Sequence, residues 1–160
     1  MTTLPHLIDG KLEVLPGSSA RTNVDPATGT PINDTPLDAV SALDKAVASA
    51  KAAFPAWSET PVGDRVQHLF RYKALLEDNI NELAAIVVEE HGKTMPEAIG
   101  SVRRGIDCIE HACGAPVLIQ GRTLPQIAVS STFSRTEDEG GIGIDSAVDR
   151  VPLGVCAGIT

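Results

Sequence analysis

Ile99, Val102, Ile106, Ile109 and Cys113 stand at i, i+3, i+7, i+10 and i+14. A backbone of ~3.6 residues per turn brings all five to one face, the strongest helical periodicity in the chain. The run opens on "TMPE", in which Thr94 suits a cap and Glu97 stands three residues on, where its carboxylate reaches back. Pro116 and Gly121 are expected to close the helix. A helix with a single apolar stripe has to bury that stripe against another element. The rest of the chain must therefore supply partners.

Three more helices are predicted ahead of it. The first begins at Thr35 as N-cap, with Pro36 in the first helical position and Asp38 reaching back to the cap. Val40, Leu43, Val47, Ala50 and Phe54 form its inward stripe, and Pro55 ends it. The second spans 61–78, with Val62, Val66, Leu69, Phe70 and Leu76 inward and Arg65, Lys73 and Glu77 outward. The third spans 80–91 on Ile80, Leu83, Ala84 and Val87, with Gly92 as its left-handed terminal residue. Before them, residues 7–36 are broken by Asp9-Gly10, Pro16-Gly17, Asp25-Pro26, Gly29 and Pro31, which predicts one or two short strands joined by turns. After Thr123 the chain turns polar and glycine-rich, then ends on the apolar run "VPLGVCAGIT". There is no internal repeat.

Composition excludes several functions. Thirteen basic against 21 acidic residues give a net charge of -8, with no basic stripe, which argues against a nucleic-acid or anionic-membrane surface. No apolar stretch approaches the ~18 residues of a membrane span, and "MTTLPHLIDG" has neither a signal-peptide nor a transit-peptide pattern. Three cysteines, an odd number without a framework, point to reduced thiols and a cytoplasmic setting. With aromatics at 3%, the core is aliphatic.

The candidate motifs mostly dissolve on inspection. "HGKT" at 91–94 lacks the early glycine of a phosphate loop, because Val87 stands in that place, so a helix stop followed by a cap explains it. Lys93 is then an exposed side chain. Cys108, His111 and Cys113 share a helix but have no second ligand pair, and Cys113 belongs to the apolar stripe as a buried thiol. "GGIG" at 140–143 has no strand before it and no helix after it, and Glu137, Asp138 and Glu139 would repel a pyrophosphate. A turn is expected there. Ser130, Ser131 and Ser134 have no nucleophile-elbow context. Cys156, between Val155 and Ala157, reads as a small buried residue of a strand. The run around it looks like the first parallel strand of a nucleotide-binding sheet nearing its carboxyl end, where ligands sit.

"IDGK", "DPATG", "AFPAWSETP", "EEHGKT", "EHAC" and "VPLGVCAGIT", in that order over nearly the whole chain, resemble the N-terminal region of the aldehyde dehydrogenase superfamily. "HAC" and "LGVCAGI" are most similar to its CoA-acylating methylmalonate-semialdehyde dehydrogenase branch. The resemblance implies an α/β fold: helices and the start of a Rossmann-like nucleotide-binding sheet, with a partial oligomerisation hairpin. Residues 1–122 would be the N-terminal part of the NAD-binding domain, 123–150 the hairpin region, and 151–160 the first strand leading to the cofactor site, with the catalytic domain absent. The segment "TEDEGGIGIDSAVD" is longer, more acidic and poorer in aromatics than the alternating pattern usual for the family's hairpin.

For function, the resemblance implies NAD-dependent oxidation of malonate or methylmalonate semialdehyde to acetyl- or propionyl-CoA, in valine or inositol catabolism, with CoA as co-substrate and a homo-oligomeric enzyme. In that chemistry a cysteine thiolate attacks the aldehyde, hydride passes to NAD, the thioester loses its carboxyl group and CoA takes the acyl chain. Thr160 and Ile159 match positions lining the nicotinamide cofactor. Cys156 matches the family's strand cysteine, whereas its nucleophile and oxyanion amide lie downstream of Thr160. The 160 residues are accordingly expected to be an incomplete N-terminal piece, inactive alone, with no catalytic and no metal-binding residue assigned. The alternative is a non-catalytic remnant whose amphipathic helices bind a protein partner or a second copy.

Overall fold

The computed structural model describes residues 2–15, 19–37, 39–129 and 143–159. Two small hairpins come first. β1 (His6–Ile8) and β2 (Lys11–Glu13) are antiparallel and joined by Asp9-Gly10, whose φ values of 54° and 70° suit the primed turn that a tight hairpin requires. β3 (Ala20–Val24) and β4 (Pro31–Pro36) form a second antiparallel pair with an irregularity at Asn23/Val24. Four strands thus replace the one or two expected, because each turn signal closes its own hairpin.

The second turn is organised by one carboxylate. Asp25 Oδ1 accepts the Ala27 N–H at 2.8 Å, and Asp25 Oδ2 accepts the Thr28 hydroxyl at 2.9 Å. Those two bonds, the backbone one foremost, hold the Asp25 carboxyl below its ordinary acidity range.

The helices are α1 (Ala39–Glu59), α2 (Val62–Asp78), α3 (Ile80–His91), α4 (Met95–Cys113) and the single turn α5 (Ala115–Leu118). α4 packs on both α2 and α3 and forms the centre of the molecule. Two residues of its predicted stripe are buried, Ile106 at 1% exposure, the largest fully buried side chain, and Cys113; Ile99, Val102 and Ile109 are partly buried, and Ala98, outside the stripe, is buried too. Val66 of α2 and Ala84 of α3 are buried on the facing helices. Small residues at the facing positions let the helix axes approach closely around one large side chain.

The helix α1 departs from its predicted course at both ends. Thr35 and Pro36 belong to β4, and Asp38 lies outside the described residues. Thr35 does not cap because its hydroxyl already accepts the Asn23 side-chain amide at 2.9 Å across the hairpin. Pro55 sits inside the helix instead of ending it. The ends are closed further on, where Ser58 Oγ donates to the Pro55 carbonyl and Thr60 Oγ1 to the Ala56 carbonyl, at 2.8 and 2.9 Å. The predicted inward stripe of α1 is largely outward: Val40 is 76% and Leu43 58% exposed, while Ala42 is the buried residue. α1 rests chiefly on β1, and a narrow strand is met by the helix's smallest side chains.

Smaller corrections follow from packing. Phe70 is half-exposed, whereas Arg65 and Lys73, expected outside, are partly buried. Lys73 lies between Glu77 and Glu110, at 3.1 and 3.5 Å. The Glu77 hydrogen bond, with the Glu110 charge, holds its ammonium above the ordinary lysine value. Gly114 ends α4, and Pro116 falls at the start of α5, where its missing N–H costs nothing.

After α5, β5 (Arg122–Val129) pairs antiparallel with β6 (Gly143–Val148), from Arg122 opposite Val148 inward. Between Leu124 and Ala128 the register shifts. There Gln126, at φ 55°, turns its N–H to Asp145 Oδ1 at 2.8 Å. The turn expected at "GGIG" and the serines at 130, 131 and 134 lie outside the described residues, apart from Gly143, which opens β6. No helix among the described residues is long and apolar enough to cross a membrane.

Candidate functional site

The stretch expected to approach a cofactor, residues 151–159, is irregular, with a bend at Val155, and is not a strand. A parallel strand needs neighbours on its edges, and no described strand lies alongside this one. Leu153 is 95% exposed, Ile159 fully so, and Gly154 takes φ 108°, a conformation suited to glycine. Of the two residues matched to cofactor positions, Ile159 is an open apolar side chain on this segment and Thr160 lies outside the described residues.

Cys156 is corrected by the same geometry. It is exposed, not buried, with its sulfur 3.7 Å from the Gly154 carbonyl oxygen. The packing role read from its apolar neighbours needs a sheet around them, and that sheet is not formed by the described residues.

The helix-junction motif behaves as a structural element. Gly92 ends α3 at φ 75° and ψ 17°, its N–H reaching the Val88 carbonyl. A Cβ at Gly92 would come within 2.8 Å of Pro26 Cγ, so the "DPATG" turn packs directly on the "HGKT" junction. Thr94 then caps α4: its backbone N–H and hydroxyl donate to Glu97 Oε2 at 3.2 and 2.8 Å, within a complete capping box. The Thr94 hydroxyl first, then its N–H, holds the Glu97 carboxyl below its ordinary value. A helix start already occupied by its own carboxylate has little left to offer a phosphate. Lys93, expected to be exposed, donates from Nζ to Ser101 Oγ at 3.0 Å and is partly buried. Cys113 is buried as expected, and Cys108 is exposed. No cluster of three metal-ligating side chains occurs among the described residues.

What the described residues offer chemically is limited. The hydroxyls that do meet a carboxylate, Thr22 on Asp34, Thr28 on Asp25 and Thr94 on Glu97, hold a hairpin, a turn and a helix cap, and none of them lies on 151–159. That segment does not make a cradle for a dinucleotide pyrophosphate, so no hydride step is derived from it.

Two features escaped the sequence reading. One is the link between Pro26 and Gly92, for which a left-handed glycine next to a second turn motif was the available signal. The other is the half-buried Arg65, whose place on the helix, one residue before Val66 and three after Val62, is the only hint.

Residues 15–160 match the profile of the aldehyde dehydrogenase family. Malonate-semialdehyde dehydrogenase of Pseudomonas aeruginosa is 42% identical over 160 residues, covering 100% of this chain and 29% of that protein. Malonate-semialdehyde dehydrogenase 1 of Geobacillus thermodenitrificans is also 42% identical, with 99% and 30% covered. Among solved structures, the methylmalonate-semialdehyde dehydrogenase of Oceanimonas doudoroffii superposes with a TM-score of 0.76 at 38% identity, over 80% of this chain and 26% of that one. A structure assigned to the same activity from Sinorhizobium meliloti, determined with NAD, gives 0.76 at 35% identity, over 80% and 26%. The chain thus spans under a third of the length of the relatives it matches.

Proposed function

This chain belongs to the aldehyde dehydrogenase family, and from that premise we propose that it serves as the N-terminal portion of a CoA-acylating malonate- or methylmalonate-semialdehyde dehydrogenase. The carrying observation is the 42% identity to the Pseudomonas aeruginosa malonate-semialdehyde dehydrogenase along the whole chain. The reaction is NAD-dependent oxidation of the semialdehyde to acetyl- or propionyl-CoA, with NAD and CoA as cofactor and co-substrate and a homo-oligomeric, cytoplasmic enzyme as the setting. The relative determined with NAD supports the cofactor, and three free cysteines are consistent with a reducing compartment.

In this reading residues 1–122 contribute the opening of the NAD-binding domain. Residues 123–150, built on β5 and β6, are the oligomerisation region. Residues 151–160 form the first sheet strand once neighbouring strands are present, with Ile159 and Thr160 lining the cofactor. The chain's own work is scaffolding: α2 to α4 give the sheet a rigid flank, and the capped junction at 92–97 fixes the angle between α3 and α4.

A chimera tests this reading. The corresponding portion of the Pseudomonas aeruginosa enzyme is replaced by these 160 residues, and NADH formation from malonate semialdehyde is followed with and without CoA. Turnover that depends on both is expected, while the 160-residue chain alone shows none. A chimera that unfolds cooperatively but is inactive, or turnover by the chain alone that survives repurification and vanishes on replacement of one of its cysteines, overturns it.

The outward stripe of α1 favours one second reading, a self-associating or partner-binding module. A sharply monomeric chain that binds no hydrophobic dye counts against it.

A further inference from the structure

Between the end of α1, the start of α2 and α5 lies a pocket of about 180 Å3, lined by Trp57, Val62, Arg65, Val66, Leu69 and Ile119 among others. Every wall named is apolar except Arg65. Arg65 Nε is shielded from water and has no hydrogen-bond partner, alone among the buried side-chain nitrogens and oxygens of the described residues. None of the ion pairs among the described residues engages it.

An arginine does not escape such a position by losing its proton. A cationic N–H held out of water without an acceptor is costly, and the acceptor that matches a guanidinium in shape and charge is a planar carboxylate, which can take two parallel N–H donors. The walls define the rest of the ligand. Taking the ~30 Å3 share of a water molecule as scale, the space admits roughly six or seven non-hydrogen atoms, and those away from Arg65 must be apolar. The His68 ring meets Trp57 edge-on, with centroids 5.7 Å apart. None of the lining residues belongs to 151–160, so the site is separate in sequence from the proposed cofactor positions.

We infer that this pocket binds a short aliphatic carboxylate, its carbon chain against Trp57, Val66 and Leu69 and its carboxylate on Arg65. The inference does not depend on the proposed enzymatic reading.

Trp57 is the only tryptophan of the 160 residues, so its emission reports the pocket directly. The full chain is titrated with isovalerate and, separately, with isovaleramide, which has the same shape and no charge. A saturable change with isovalerate is expected, with a dissociation constant on the order of 1 mM, as suits so few atoms. The amide should bind at least about tenfold more weakly, and in Arg65→Met that preference should disappear. No saturable change with isovalerate overturns the inference. So does equal binding of acid and amide, or a preference that survives Arg65→Met. If the variant fails to fold, the acid against amide comparison on the unaltered chain still decides.

Discussion

The bundle of α2, α3 and α4 and the segment 151–159 are both apolar in sequence, yet one is closed and the other open. Ile106 is 1% exposed in the bundle, and Leu153 is 95% exposed in the segment. A helix satisfies its backbone internally and needs only a facing stripe, which neighbouring helices supply within a few dozen residues. A strand needs partners for its backbone as well as for its side chains. Apolar content therefore says that a segment is built for burial, and the local neighbourhood decides whether the burial is achieved.

The sharpest way to break that contrast is to cut the same amount from each side. Ile106→Ala should cost about 3 kcal/mol, as large-to-small changes in packed cores do. Leu153→Ala should stay within about 0.5 kcal/mol. Chemical denaturation of both variants checks this, and comparable losses would mean that 151–159 is packed in solution. Next in size is Gly92→Ala. The left-handed φ alone costs about 1 to 2 kcal/mol for a residue with a Cβ, and the collision with Pro26 adds to it. Its Tm should fall clearly, between those of the first two variants.

Smaller than the losses at Ile106 and Gly92 is the effect at the cap of α4. Thr94→Ala should remove about 1 kcal/mol. Because the folded Glu97 carboxyl lies below its ordinary value of 4.5, its stabilising contribution is complete above that pH. It drains away as pH falls through the folded-state value. Acid titration followed by NMR should place the Glu97 midpoint below 4.5, and in Thr94→Ala the midpoint should return toward it.

The sequence was legible where one local rule decided the outcome. α3 runs from Ile80 to His91 and stops at a left-handed Gly92, and α4 starts on its capping box, all as the residues predicted. It misled where a residue had two uses. Thr35 is a good cap and also a good strand residue, and the Asn23 amide across the hairpin decided between them. Pro55 breaks helices in general, but a helix lying on the surface can continue past one missing donor. The stripe of α1 was read correctly as apolar and incorrectly as buried, since periodicity names a face without naming what covers it. Cys156 failed for the same reason. For the proposed cofactor positions the residues alone carry no signal: the assignment of Ile159 and Thr160 rests on family resemblance.

The seating of Pro26 against Gly92 also bears on the order in which the molecule assembles. The two residues are 66 positions apart (92 − 26), whereas α2, α3 and α4 follow one another with short connections. Closing a loop of that length has an entropic cost of roughly (3/2)RT ln n that near-neighbour helix pairing largely avoids. The hydrogen bond that joins the β3–β4 hairpin to α3, from the Asn33 amide to Glu90, is long, at 3.5 Å. The expected sequence is a helical bundle that forms early and a hairpin that docks afterwards and undocks first. Amide protons of β3 and β4 should then exchange with solvent through an opening that leaves α4 protected, a two-tier pattern in which the proline and the glycine act as the latch.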